Sequence, residues 1–181
     1  MAYASGDAAE AAYRAALDAA VKSLGRREHS RRELEQKLAR RGHPRALVTE
    51  VLDYLSEHDL QSDARYAEDF VRSRVARGYG PVKIRQELAT RGVREPELES
   101  QLTEPAEFWL EVATSALAKR FGAEPWSCLE DTDDCPDASA DASRVDGYDA
   151  RRQDWNARAR FLARRGFPAD LIYRVLGAER G

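Results

Sequence analysis

Cysteine, proline and glycine are all scarce in this chain, at 2, 7 and 11 of 181 residues. Cys128 and Cys135 cannot build a disulfide framework, and without a second pair of ligands they do not make a zinc site. No apolar run reaches the length of a membrane span, so no membrane association is expected. The N-terminus, MAYASGDAAEAAYRAALDAA, lacks both a basic start and an apolar stretch behind it. It is not read as a signal peptide, and the expected compartment is the cytoplasm. His29, His43 and His58 share no metal-ligand spacing with cysteine or carboxylate, and no serine or cysteine stands in a nucleophile motif. No metal, cofactor or catalytic residue is expected, and the chain is not expected to be an enzyme. No segment reads as a strand, so the expected fold is all-α.

What is present is repetition. Three strings align: LARRGHP (38–44), LATRGVR (88–94) and LARRGFP (162–168). Their glycines, Gly42, Gly92 and Gly166, stand 50 and then 74 residues apart. The excess of 24 matches an acidic insertion, EPWSCLEDTDDCPDASADASRVDGYD, at 124–149. Such a period implies one helical unit used repeatedly. Each unit opens with an amphipathic helix. Its apolar face is read as Tyr13, Leu17, Val21 and Leu24 in the first unit, Tyr66, Phe70 and Val71 in the second, and Phe108, Trp109, Val112 and Ala116 in the third. A second helix follows (SRRELEQKLARRG, GPVKIRQELATRG, DWNARARFLARRG), with Ser30 and Glu33 forming a capping box. The glycine at its end is read as a left-handed cap, and His43, Val93 and Phe167 after it as packing residues. A third helix opens near a proline (PRALVTEVLDYL, EPELESQL, PADLIYRVL). The expected architecture is three tandem three-helix repeats in an elongated curved array, with repeats at 1–60, 61–103 and 104–181, the last holding the acidic loop insertion 124–149.

Gly78-Tyr79-Gly80-Pro81 falls at the joint between the first and second helices of repeat two, where Pro81 suits a first helical turn. No strand precedes it and no Gly-x-x-x-x-Gly-Lys-Ser/Thr pattern exists, so it is not read as a phosphate loop.

The net charge of −3 hides a division. Residues 124–149 hold nine acids and one base, and the remainder holds 28 bases against 23 acids. Residues 26–45 and 65–94 each carry eight bases and three acids. A basic stripe recurring once per repeat suits an extended partner with repeating negative charge, either nucleic acid or an acidic protein surface; the plainer reading is a solvated helical face. Helical phase sorts the arginines. Arg65 and Arg72 point away from the apolar stripe, Lys83 points outward and Arg85 lies toward the flank. With Arg31, Arg32, Arg40 and Arg164 they form the candidate set for binding a partner or DNA. Arg74 falls near the middle of the apolar stripe and is read as structural, with Asp63 or Glu87 as its partner. Gly42, Gly92 and Gly166 are read as structural too. Arg41, Arg91 and Arg165, each preceding a capping glycine, are read as cations at a helix C-terminus. The insertion is expected to be a mobile loop outside the core, acting either as an internal brake on nucleic-acid binding or as an inert solubilising segment.

Over SDARYAEDFVRSRVARGYGPVKIRQELATRGV (62–93), RREHSRRELEQKLARRG (26–42) and FLARRGFPADLIYRVL (161–176) the chain resembles the RecX family, small bacterial regulators of the RecA recombinase. The central string combines Arg74, Gly78, Gly80, Ile84, Glu87-Leu88 and Gly92. The acidic insertion departs from the family's short connection. The resemblance implies a monomeric regulator in DNA repair, homologous recombination and the SOS response. It would bind the RecA nucleoprotein filament along its helical groove and suppress ATP hydrolysis, strand exchange and co-protease activity. Direct contact with single- or double-stranded DNA is open. The alternative is an autonomous helix-turn-helix-type DNA-binding protein, although no base-reading cluster or symmetric dimer surface is evident.

Overall fold

A stripe of apolar residues every three or four positions, closed by glycine or proline, favours a helix. The computed structural model describes residues 3–93, 102–122 and 142–177. Its described residues form helices α1 (Tyr3–Leu24), α2 (Arg31–Ala39), α3 (Arg45–Glu57), α4 (Asp63–Ala76), α5 (Pro81–Thr90), α6 (Ala106–Phe121), α7 (Ala142–Arg165) and α8 (Ala169–Val175), and no strand. None of these helices is long and apolar enough to cross a membrane. The third helix expected for repeat two, and residues 124–141 of the insertion with Cys128 and Cys135, lie outside the described residues.

Packing divides the chain into two units. One holds Met1–Arg72 and Gln86–Leu102, the other Ser73–Arg85 and Thr103–Gly181. In the first unit α1 packs on α2 and α3. Ala16, Ala20, Leu34, Leu38, Val48, Val51, Leu52 and Leu55 make its core. Each buried leucine contributes about 1.5–3 kcal/mol. Val21, expected on the inner face of α1, is instead 46% exposed. The inner face is built on Ala16 and Ala20, whose small side chains let α1 lie close to its neighbours. Val21 is turned about 100° from Ala20. In the second unit α6, α7 and α8 pack together, burying Trp109, Ala113, Leu117, Leu162, Phe167, Leu171 and Ile172.

The expected break at the start of the third repeat's second helix is absent. α7 runs unbroken from Ala142 to Arg165, so residues 142–149 of the expected loop are helical. Alanine and arginine propagate a helix without needing a continuous apolar stripe.

Candidate functional site

The three glycine turns that close α2, α5 and α7 are built alike. Gly42, Gly92 and Gly166 have φ of +86°, +82° and +85°, a conformation that glycine adopts without penalty. In each turn the glycine N–H donates to the alanine three residues back. The next residue's N–H donates to the leucine five back: His43 to Leu38, Val93 to Leu88 and Phe167 to Leu162. Carbonyls that would otherwise be orphaned at the helix end are thereby satisfied.

Two of the three turns form a joint with the start of an earlier second helix. In the first unit, the Arg91 carbonyl accepts the Ser30 hydroxyl at 2.8 Å, and a Cβ on Gly92 would lie 3.0 Å from Arg32 Cβ. In the second unit, the Arg165 carbonyl accepts the Gly80 N–H at 2.8 Å and the Gly166 carbonyl accepts the Val82 N–H at 3.1 Å. A Cβ on Gly166 would sit 2.4 Å from the Lys83 nitrogen. The arginine before each glycine completes the clamp. Arg91 donates to the Glu87 carbonyl at 2.9 Å and lies 4.7 Å over the Phe70 ring. Arg165 donates to the Arg77 carbonyl and the Gly78 carbonyl, with the Tyr79 ring 5.1 Å away. These arginines therefore do more than complement a helix dipole. That role was not legible, because the Phe70 ring is 21 residues from Arg91 and the carbonyls that Arg165 meets are 88 and 87 residues away.

A polar network surrounds the first joint. Ser30 caps α2 by accepting the Glu33 N–H at 3.1 Å. The return half of the capping box is not made, because the Glu33 carboxylate turns elsewhere. It accepts the Tyr66 hydroxyl at 2.9 Å and meets Arg27 and His29, each at 3.0 Å. Burial works against the Glu33 charge, but the hydrogen bonds from Tyr66 and Arg27 outweigh it and hold the carboxyl below its ordinary pKa. Burial, with Arg27 nearby, pushes His29 down. Burial and then the Glu33 hydrogen bond push the Tyr66 hydroxyl up.

The candidate bases fall into different environments. Arg65, expected to face outward, is half-buried and holds Glu28 at 3.1 Å and Asp59 at 2.7 Å. Arg31 pairs with Asp53. Arg72 is exposed beside Glu68 and Asp69, at 2.8 and 3.3 Å. Exposed pairs of that kind are worth about 0–1 kcal/mol and leave the base available. Arg32, Arg40 and Arg164 are exposed, as is Arg85, while Lys83 is half-buried under Gly166. Arg74 is half-buried with its guanidinium 5.4 Å from the Tyr79 ring centre. Asp63, one partner expected for it, instead accepts the Arg31 N–H and the Gln61 amide, each at 2.8 Å. Arg158 occupies the place in α7 that Leu34 and Ile84 fill in α2 and α5; it pairs with Asp154 at 2.9 Å and lies 5.0 Å from the Phe121 ring centre. Among the described residues no group of three His, Cys, Asp or Glu is placed to hold a metal.

Comparison with known proteins follows the same lines. Family models for the first and second three-helix domains of RecX match residues 16–55 and 62–100. The chain is 43% identical over 178 residues to the regulatory protein RecX of Halorhodospira halophila, covering 96% of each chain. It is 38% identical to that of Pseudomonas savastanoi, covering 90% of each. Among solved structures, RecX from Lactobacillus salivarius superposes with a TM-score of 0.70 at 20% identity, over 93% of this chain and 96% of that one. At that identity the likeness speaks for the fold alone.

Proposed function

The chain belongs to the RecX family of regulatory proteins, and from that membership we propose that it regulates RecA recombinase by binding its nucleoprotein filament and suppressing ATP hydrolysis, strand exchange and co-protease activity. The observation that carries the reading is that exposed bases stand around the glycine turns, two of them at equivalent places. Arg32 lies at the start of a second helix, and Arg40 and Arg164 lie two residues before a turn glycine. None of the three has a carboxylate partner among the described residues. A filament repeats its own surface, and modules that repeat theirs gain avidity from several weak contacts.

The test is a mobility-shift comparison on duplex DNA, bare single strand and RecA-coated single strand. The coated strand should be bound most tightly. Tighter binding to sequence-defined duplex without recombinase would replace this reading with that of an autonomous DNA-binding protein.

A further inference from the structure

The third glycine turn is the exception. A Cβ on Gly42 would meet nothing within 4 Å, whereas the equivalent atoms on Gly92 and Gly166 would strike the start of another helix. No described donor reaches the Arg41 carbonyl, although the Arg91 and Arg165 carbonyls are both engaged. Arg40, Arg41, Gly42 and Arg45 are all exposed, and none of the three arginines meets a carboxylate among the described residues. Among the described residues the same device is thus built three times and filled twice.

We propose that the Arg41–Gly42 turn is an interaction surface for the N-terminus of a partner protein's helix, one that begins with Ser or Gly and carries acidic residues in its first turn. The filled joints define this occupant. Each supplies a small N-cap residue, Ser30 or Gly80, whose donor reaches the arginine carbonyl. Each also lays its first turn beneath the glycine, the Arg32 stem at Gly92 and the Lys83 backbone and Cβ at Gly166. At Gly42 the surrounding arginines call for Glu in that place, which supplies both stem and charge, and acids in the first turn suit a helix N-terminus. The second helices of another copy of this chain cannot fill the turn in the same way. Ser30 and Gly80 are already engaged, and α7 passes without a break through residue 154, the equivalent position. The surface stands on this geometry; only the identity of the partner as the recombinase rests on the function proposed above.

Gly42→Asn tests it, because asparagine tolerates the left-handed conformation and has open space in the free chain. The variant should keep its helicity, with Tm lowered by no more than about 4 °C. Affinity for RecA-coated single-stranded DNA should drop at least about tenfold, a loss of about 1.4 kcal/mol. Unchanged affinity overturns the proposal while leaving the regulator reading intact. If the wild-type chain does not bind the filament, that reading falls and a second probe decides the surface alone. This is a stapled helical peptide beginning Gly-Pro-Glu-Glu, titrated into the isotope-labelled full chain. Amide shifts confined to residues 38–46 and lost in Gly42→Asn support the surface; their absence overturns it.

Discussion

His29 and Glu33 share one hydrogen bond and respond to acid in the same direction. His29 is 6% exposed and titrates below its ordinary value of 6.5 in the folded chain. As pH falls, the unfolded chain therefore takes up the proton first. The stability His29 contributes is complete above about pH 6.5 and drains away toward the folded pKa. Glu33 is depressed below its ordinary 4.5, so its contribution is complete above that value and is lost at lower pH. Each such proton costs at most about 1.4 kcal/mol per pH unit. The urea midpoint should decline as pH falls below 6.5, and His29→Gln should flatten that decline while leaving the loss below 4.5. An unchanged slope in the variant would assign the acid sensitivity to other groups.

The turn glycines set the behaviour of whole elements. An alanine in the left-handed region costs about 1–2 kcal/mol wherever it stands. At Gly42 nothing more is asked of it. At Gly92 the added Cβ lies 2.9 Å from Arg32 Cδ, which can swing away; at Gly166 it lies 2.4 Å from backbone nitrogen, which cannot. Forcing an atom into packed structure adds about 1–3 kcal/mol. Stability losses on substitution with alanine should therefore rank Gly166 above Gly92 above Gly42, at about 2–5 kcal/mol for the first and 1–2 for the last. Denaturant midpoints measure this, and equal losses would show that the joints are not close packed. The glycine caps were legible in the sequence, because Leu-Ala-x-Arg-Gly is a local string and a Schellman turn is a local structure. What each turn touches was not, since the strings around Gly42 and Gly166, LARRGHP and LARRGFP, are nearly the same. On α1 the expected Tyr13, Leu17 and Leu24 do pack on the core, but Val21 is exposed: alanine carries little hydropathy, so Ala16 and Ala20 left no signal to outweigh it.

At the scale of the molecule, the all-α class was legible from helical periodicity, and the RecX family from the strings around Arg74, Gly80 and Gly92. The distribution of charge was legible only as an average. Residues 26–45 and 65–94 are equally basic, but Arg65 and Arg91 are committed within the fold, whereas Arg32, Arg40 and Arg164 have no carboxylate partner among the described residues. Helical phase separates inward from outward; it does not show which outward base meets Glu28 or Asp59 from elsewhere in the chain. The most direct measurement of the account is DNA-dependent ATP hydrolysis by RecA on single-stranded DNA, titrated with this protein. Hydrolysis should fall as the wild-type chain is added, and Arg32→Glu with Arg164→Glu should require at least about tenfold more protein for the same suppression, the equivalent of about 1.4 kcal/mol in binding. Hydrolysis that stays constant up to one chain per recombinase subunit would contradict the account.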